Sequence, residues 1–262
     1  MKPILKYPGA KWKLAKWIIS YIPEHSVYLE PFGGSMAVLL NKPRSHIETV
    51  NDIDDNIINL FEVIREYPDE LIKSISNTPF ARTEYKKAFI VDDNDSDLEI
   101  ARKYLVRCWQ GFGNSNLYEN GFKSGQQTQS PNPAKAWNTL VNTIDEVSNR
   151  LKGVQIESLD ALELIDRYNT SDVFIYADPP YKLDTRKGYL YKHEMTDEQH
   201  IQLLNKLNLH PGKVMISAYE NELYDSILVG WSKVYKNTVA ESGNKRIECL
   251  YMNYHKELQL DL

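Results

Sequence analysis

Residues 172–181 read DVFIYADPPY, and this stretch decides how the rest of the chain is interpreted. The part that ends at Ala177 is short, apolar and rich in β-branched and aromatic residues, which predicts a buried strand of a parallel sheet. Asp178 then lies at the carboxyl end of that strand, and open α/β sheets bind their ligands at that edge. Pro179 and Pro180 restrict the backbone there and remove two N–H donors.

The residues of this motif suit a planar group that carries an NH₂. The carboxylate of Asp178 and the carbonyl of Pro179 can accept the amino hydrogens, and the ring of Tyr181 can stack on the face of a base. The alternative is a turn that ends a strand, with a core tyrosine behind it. An isolated Pro-Pro-Tyr favours that alternative, so the interpretation depends on the rest of the chain.

The composition is that of a globular protein with one large domain and an insertion. The chain has 262 residues, of which 42% are hydrophobic and 26% charged, and it exceeds a typical domain of ~100 to 200 residues. Its net charge of −5 counts only weakly against nucleic acid, since binding needs a local basic face. Cys108 and Cys249 match no metal-binding spacing, so we expect no metal and a reducing, cytoplasmic location. Neither a signal peptide nor a run of ~18 apolar residues occurs, and no membrane association is expected.

Two further segments favour an adenosine-containing cofactor. A strand at 27–31 is followed by Phe32-Gly33-Gly34-Ser35 and a helix at 36–41, an order in which the backbone approaches a nucleotide closely. A second strand is predicted at 47–50, and Asn51 and Asp52 follow it directly. Asp52 comes some ~20 residues after the glycine turn, at a place where an acid can bind ribose hydroxyls. Asp54 and Asp55 are expected to cap the next helix. Either segment alone is weak, because many α/β proteins use glycine only to turn.

Residues 68–152 interrupt the alternation of strands and helices and predict a helical insertion. Apolar spacing indicates helices around 71–75, 98–108 and 137–151. The segment between the last two, 110–133, lacks periodicity and is rich in Gly, Asn, Gln and Ser, so it is either a functional loop or a solvated linker. Its Asn side chains could pair with adenine edges, and neighbouring cations could meet phosphates: Asn114, Asn116, Arg102, Lys103, Arg107 and Lys123.

The remaining segments complete the pattern of an α/β sheet. Strands are predicted at 154–156, 213–218, 233–239 and 247–253, the last two antiparallel, and Thr196 with Gln199 predicts a capping box. The polar and aromatic segment 182–192 suits contact with a strand backbone and stacking on a displaced base, or else forms a solvated lid. Its candidate residues are Lys182, Arg186, Lys187, Tyr189, Tyr191 and Lys192.

Four motifs, in this order, closely resemble the Dam-like (alpha-group, D12 class) family of S-adenosylmethionine-dependent DNA adenine-N6 methyltransferases. They are Lys6 to Lys11, Glu30 to Ser35, Asn51-Asp52, and Asp178 to Tyr181. The resemblance implies a Rossmann-like methyltransferase fold with a seven-stranded mixed sheet. It implies a catalytic domain formed by residues 1–67 and 153–262, and a helical target-recognition insertion at 68–152. The implied substrate is a flipped adenine in double-stranded DNA, in a monomer or weak dimer in the cytoplasm of a bacterium or a phage host.

The resemblance also assigns roles to residues of this chain. The implied cofactor contacts are Tyr7, Lys11, Phe32, Gly33, Gly34, Ser35, Asp52 and Asp178. The implied catalytic residues are Asp178, Pro179, Pro180 and Tyr181, and the implied DNA contacts are Lys6, Arg107, Asn114, Asn116, Lys123, Arg186 and Lys187. The chain departs from the family in two places: its glycine turn reads one residue shorter, and 110–133 does not read as the β-hairpin of GATC-recognising members.

Two other functions fit the same pocket. Methylation of cytosine N4 or of a protein amide would also present an sp² NH₂, although the insertion and the segment 182–192 favour DNA. A cofactor-binding module without catalysis is the other alternative, and it would be expected to lose the acceptors that Asp178 and Tyr181 supply. The lack of a Pro-Cys pair at the motif argues against C5-cytosine methylation.

Overall fold

The computed structural model describes residues 1–90, 92–113, 117–125, 132–185, 190–239 and 245–256. In this part of the chain, seven strands form one mixed sheet in the order β3-β2-β1-β4-β5-β7-β6, which confirms the predicted α/β methyltransferase-like sheet. The strands are β1 (Val27–Glu30), β2 (Ile47–Asn51), β3 (Val154–Glu157), β4 (Val173–Ala177), β5 (Lys213–Ala218), β6 (Ser232–Val239) and β7 (Lys245–Met252). Strands β1 to β5 pair in parallel, and β7 runs antiparallel to both β5 and β6.

The central strand β4 explains why its sequence is apolar throughout. All five of its residues are buried, because helices cover both faces of the sheet. Phe174 and Tyr176 point into the core on one side, and Ile175 and Ala177 point into the core on the other. A strand buried on both faces needs no polar alternation, and its carboxyl end can therefore deliver Asp178 from a rigid base.

Helices lie on both faces of the sheet. They are α1 (Ala15–Tyr21), α2 (Ala37–Asn41), α3 (Asp55–Glu66), α4 (Pro68–Ser76), α5 (Arg82–Lys87), α6 (Asp97–Gln110), α7 (Pro133–Asn138), α8 (Leu140–Leu151), α9 (Ala161–Arg167), α10 (Asp197–Asn208) and α11 (Glu222–Ile227). Apolar side chains of α1, α2, α3 and α8 share one core, and those of α9, α10 and α11 share the other. No helix in the described residues is both long and apolar enough to cross a membrane.

The helical segment predicted at 68–152 contains more helices than its apolar spacing indicated. The predicted helix at 137–151 is two helices, because Thr139 ends α7 and precedes α8 while its hydroxyl bonds to the carbonyl of Ala136. Helix α5 was missed since Tyr85 is its only buried residue. Helices α4, α6 and α8 pack on one another and on α3, and the division into two domains stays a prediction.

Within the predicted loop at 110–133, residues 110–112 pair with residues 121–123. Gly111 and Phe122 form an antiparallel bridge, and Phe112 N–H donates to the carbonyl of Gly121 at 2.8 Å. Lys123 N–H donates to the carbonyl of Gln110, also at 2.8 Å. The expectation that this segment does not form the β-hairpin of GATC-recognising members stays a prediction, because residues 114–116 and 126–131 lie outside the described part of the chain. Glycine and polar residues hid the pairing, because they give no alternating apolar pattern.

Candidate active site

A cavity of about 440 Å³ opens at the carboxyl edge of the parallel strands. Loops that follow β1, β2, β3 and β4 line it, together with the N-terminal loop and a segment at 191–195. All eight cofactor-site residues expected from the sequence meet there, namely Tyr7, Lys11, Phe32, Gly33, Gly34, Ser35, Asp52 and Asp178. Pro180 also lines the cavity, while Pro179 and Tyr181 are buried next to it.

The glycine turn is bound to the end of β2 by its own backbone. Gly33 N–H donates to the carbonyl of Asn51 at 2.7 Å, and a Cβ at Gly33 would lie only 3.0 Å from that oxygen. Gly34 has a φ of 48°, a left-handed conformation that favours glycine. Its N–H donates to the carboxylate of Asp52 at 2.7 Å. The two motifs are thus one structural unit.

Asp52 is held in place by backbone donors at the floor of this unit. Besides Gly34 N–H, Asp54 N–H donates to its other oxygen at 2.9 Å. Burial raises the pKa of Asp52 to about 6, against the lowering effect of these hydrogen bonds. The side chain lines the cavity, where its carboxylate can also accept hydrogen bonds from a ligand.

Asn51 connects three loops of the site, a role that the sequence analysis missed. Its amide nitrogen donates to the carbonyls of Pro31 and Leu159, each at 3.0 Å, and its amide oxygen accepts from Leu159 N–H at 2.8 Å. Its side chain is buried. An amide at the end of a buried strand, just before the acid, is the signal that could have identified it.

The segment around Tyr191 lies against the cofactor side of the cavity. The ring of Tyr191 is 5.9 Å from that of Tyr7, and a Cβ at Gly9 would come within 2.3 Å of the Tyr191 hydroxyl. Lys192 forms an ion pair with Asp54 at 3.3 Å. Asp54 also caps α3, as expected, by accepting from Asn56 N–H.

These contacts change the interpretation of the segment 182–192. Lys182 is buried and ion-paired with Asp197 at 2.5 Å, an arrangement that does not favour a contact with a DNA strand, and that contact stays a prediction. Arg186, Lys187 and Tyr189 lie outside the described residues. Tyr191 and Lys192 instead face the cavity. The sequence could not reveal this, because the partners at Gly9 and Asp54 are more than a hundred residues away.

Lys11 and Asp178 form a buried ion pair at the centre of the site. Lys11 Nζ lies 2.9 Å from an oxygen of Asp178 and donates to the carbonyl of Gly9 at 2.9 Å. Burial opposes the charge of Lys11, but the carboxylates of Asp178 and Glu248 outweigh it and raise its pKa. Burial raises the pKa of Asp178 to about 6 although Lys11 lowers it. Asp178 is therefore an ionised acceptor near neutral pH.

Tyr181 is anchored by contacts at both ends of its ring. Its hydroxyl donates to the carboxylate of Glu248, and Lys11 Nζ lies 4.6 Å from its ring centroid. The ring of Tyr219 meets it edge-on at 4.8 Å. Glu248, on β7, was missed by the sequence analysis. The signal was a carboxylate on the same face of β7 as Leu250 and Met252, within a run in which every residue from 248 to 252 is buried.

Glu30 is a second buried acid at the cavity wall. It accepts from the hydroxyl of Tyr28 at 2.6 Å and from Leu39 N–H at 3.1 Å. Burial raises its pKa to about 8, so its carboxyl is mostly protonated at neutral pH. Because Leu39 belongs to α2, Glu30 joins the end of β1 to the helix that follows the glycine turn.

The candidate DNA contacts separate into two groups. Lys6 Nζ lies 3.9 Å above the ring of Trp109, and Arg107 lies 5.3 Å from the ring of Tyr104. Lys123 is partly exposed, and its charge, together with burial, lowers the pKa of Lys6 to about 8.

The other cations of the insertion are ion-paired within it, which contradicts their predicted role at phosphates. Arg102 pairs with Glu99 at 2.6 Å and with Glu84 at 3.2 Å, and Lys103 pairs with Asp95. Asn114 and Asn116 lie outside the described residues. Glu99 lies one helical turn before Arg102 on α6, whereas Glu84 and Asp95 lie outside that helix, so their pairing could not be read from helix spacing.

Comparison with known proteins agrees with this geometry. The family model described as "D12 class N6 adenine-specific DNA methyltransferase" matches residues 7–242. The chain is 26% identical to the type II methyltransferase M.MjaIII of Methanocaldococcus jannaschii, over 97% of this chain and 99% of that protein. It is 25% identical to the type II methyltransferase M.CviBI of Paramecium bursaria Chlorella virus NC1A, over 87% and 88% of the two chains. A DNA adenine methylase of Haemophilus influenzae is 26% identical over 69% of this chain and 64% of its own length. The chain therefore belongs to the D12 class of N6 adenine-specific DNA methyltransferases.

Proposed function

We propose that this protein takes the methyl group from S-adenosyl-L-methionine and transfers it to N6 of an adenine flipped out of double-stranded DNA. The observation that carries the proposal is the buried pair of Lys11 and Asp178, 2.9 Å apart, at the end of β4. It opens onto the same cavity as Asp52 and the glycine turn. A methyl acceptor and a nucleoside-like donor would thus share one space.

The cavity fits the proposed donor in shape and charge. Its volume is about 440 Å³, within the usual range of ~300 to 1,000 Å³ for small-molecule sites. Gly33 and Gly34 let the turn pack closely on Asn51 and Tyr7, where a Cβ would come within 3.0 and 3.3 Å of protein atoms. Asp52 presents a fixed carboxylate for hydroxyl groups. Apart from Glu30, which is mostly protonated, the lining holds more acids than bases, which suits a cation: Asp52, Asp54, Asp160, Asp178 and Glu194 against Lys11 and Lys192.

When bound, S-adenosylmethionine supplies a methyl group on a positively charged sulfonium. The protein's part in the transfer is assigned to Asp178, which accepts a hydrogen bond from the adenine N6 amino group. A carbonyl at Pro179 is the second proposed acceptor. Adenine N6 is a poor nucleophile because its lone pair is delocalised into the ring, and two acceptors in fixed positions oppose that delocalisation. Positioning and electrostatics are then the protein's main contributions.

Base flipping follows from the chemistry of the duplex. N6 is hydrogen-bonded inside a base pair, so an enzyme reaches it only by extruding the base. Tyr181 is the proposed stacking partner, since its hydroxyl end is anchored by Glu248 and its ring lies beside Lys11 and Asp178. Lys6, Arg107 and Lys123 are the described residues that we assign to the DNA.

A labelling experiment tests the proposal. The protein is incubated with S-adenosylmethionine carrying a labelled methyl group and, separately, with duplex DNA, single-stranded DNA, RNA or protein, and the labelled product is identified. We expect N6-methyladenine in the duplex. The variant Asp178→Asn should leave no label, whereas Asp172→Asn, an exposed residue at the opposite end of β4, should act like the wild type. Label in N4-methylcytosine or in protein would contradict the proposal.

A further inference from the structure

A buried carboxylate on the antiparallel strand β7 reaches the centre of the candidate site. Glu248 is only 3% exposed and follows the segment 7–242 that the family model matches. Because β7 runs opposite to β5, its first half lies at the same edge as the carboxyl ends of the parallel strands. Glu248 therefore reaches Tyr181 and Lys11 from a strand that lies beyond β5 in the sheet.

Glu248 makes two contacts with the same carboxylate oxygen. It accepts the hydroxyl hydrogen of Tyr181, and Lys11 Nζ lies 3.7 Å away. Lys11 is thus held between Glu248 and Asp178, at 3.7 and 2.9 Å. One acid fixes both the edge of the aromatic ring and the position of the ammonium group that orients Asp178.

Stability alone is a poor account of this arrangement. Two carboxylates and one ammonium group are removed from water, and apolar residues in place of such buried pairs are often neutral or stabilising. The negative charge of Glu248 also raises the pKa of Asp178, which burial has already raised. An acid that served the fold only would not need to lie beside Asp178, the proposed hydrogen-bond acceptor for the adenine amino group.

We propose that Glu248 is a positioning residue for methyl transfer, which acts through Tyr181 and Lys11 and does not touch the donor or the base. This inference rests on the proposed function of the site. Lys11 is attracted to Glu248 as well as to Asp178. One oxygen of Asp178 therefore stays available to accept a hydrogen bond from the adenine amino group. It also fixes the ring on which the flipped adenine stacks.

Removal of the charge has a defined consequence for pH dependence. The groups around Asp178 that titrate or carry charge are Lys11, Glu248, Tyr181, Tyr176, Tyr219, Tyr224 and Glu30. Among them, Glu248 is the acid that raises the pKa of Asp178 while Lys11 lowers it. In Glu248→Gln the pKa of Asp178 should fall, so the acid limb of the rate profile should move to lower pH.

The test compares Glu248→Gln with a matched control at Glu220. Glu220 accepts from the hydroxyl of Tyr235 at 2.6 Å and pairs with Lys233 at 2.9 Å, which is the same set of groups on the exposed surface. Single-turnover methylation of duplex DNA is measured against pH, and cofactor affinity is measured by calorimetry. We expect Glu248→Gln to be slower by about tenfold or more, as for a lost charge-assisted contact. Its cofactor affinity should stay within roughly threefold, as expected for a residue outside direct contact, and Glu220→Gln should match the wild type.

A second variant, Tyr181→Phe, removes the hydroxyl that Glu248 holds. If Glu248 acts through this contact, the double variant should be less impaired than the product of the two single effects. Equal rates for Glu248→Gln and the wild type, an acid limb that does not move to lower pH, or fully independent effects would overturn the inference while the proposed function stands. A wild-type protein that leaves adenine unlabelled would refute the proposed function, and this inference with it. If Glu248→Gln fails to fold, an unimpaired Tyr181→Phe overturns the inference by itself.

Discussion

The protein has two charged surfaces, an acidic one at the cavity edge of the sheet and a basic one around Lys6 and Arg107, and it holds the charged side chains of each in a different way. At the edge of the sheet, acids are fixed by backbone N–H groups and by Lys11, as at Asp52 and Asp178. On the insertion side, Lys6 and Arg107 rest on aromatic rings, and within the described residues no carboxylate is ion-paired with either cation. The acidic surface is rigid and suits a small cationic donor, whereas the basic surface keeps its N–H donors available for a polyanion.

The difference teaches how half-buried cations can be kept available for a ligand. A cation over a ring gains only ~0.5 to 2 kcal/mol and remains able to bind phosphate, whereas an ion pair with a carboxylate uses the donors up. Arg102 and Lys103 form ion pairs of this kind, with Glu99 and Asp95. The composition of the insertion therefore overstates the number of residues that can contact DNA.

The largest effect is expected at the acidic edge. Asp178→Ala removes the proposed acceptor for N6 and should lower single-turnover methylation by roughly 10²- to 10³-fold, as for loss of a group that stabilises a transition state. In the wild type, the rate should fall as pH drops below about 6, the raised pKa of the buried Asp178, because the protonated acid no longer accepts. Near-normal activity of Asp178→Ala would show that the acceptor lies elsewhere.

The next effect concerns donor binding at Asp52. Asp52→Ala should weaken the affinity for S-adenosylmethionine about tenfold to a hundredfold, since it removes charge-assisted hydrogen bonds of ~1.5 to 3 kcal/mol. Because burial raises the pKa of Asp52 to about 6, wild-type affinity should weaken as pH falls through that value. Calorimetry across pH measures both effects, and Asp55→Ala, an exposed neighbour, is the control. Unchanged affinity in a folded Asp52→Ala variant would remove the ribose assignment.

A smaller effect is expected at Lys6 on the basic surface. Burial and Lys123 lower the pKa of Lys6 to about 8, so it is charged at neutral pH and neutral in more alkaline solution. Wild-type affinity for duplex DNA should fall roughly three- to tenfold between about pH 7 and pH 9, the loss of one ionic contact. Lys6→Arg keeps its charge over this range and should bind with less pH dependence. The same pH dependence in both proteins would exclude Lys6 from the interface.

The smallest effect separates the two kinds of cation on the insertion. Arg107→Ala should reduce the salt slope of DNA binding by about one unit if this residue meets a phosphate. Arg102→Ala is the matched control on the same helix, and its slope should stay unchanged because its charge is already neutralised by Glu99 and Glu84. Filter-binding or fluorescence titrations at several salt concentrations supply the slopes. Equal changes in the two variants would end the distinction between them.

The sequence predicted the sheet well because its signals are local. The apolar runs at β4 and β5, the glycine turn and the helix cap at Asp54 all depend on neighbours within a few residues. Site features that depend on distant partners were not predictable in the same way. Glu248 meets Tyr181 across 67 positions of the chain, and Tyr191 approaches Gly9 from a segment that reads as solvated. The two-residue period of a strand places Glu248 on the same face of β7 as Leu250 and Met252, but it does not reveal which side chain meets it there.

The salt bridge at the end of the insertion has a consequence for how such enzymes diversify. Arg150 of α8 binds both oxygens of Glu48 on β2, at 2.7 and 2.9 Å, and donates to the carbonyl of Leu39 at 2.8 Å. At the other end, only Tyr67 separates the end of α3 from the start of α4 at Pro68. The two points where the insertion leaves and rejoins the sheet are thus tied to β2 and α3. A change of length or sequence in the loop between α6 and α7, the proposed DNA-recognition segment, is therefore expected to leave the cavity at the edge of the sheet unaltered.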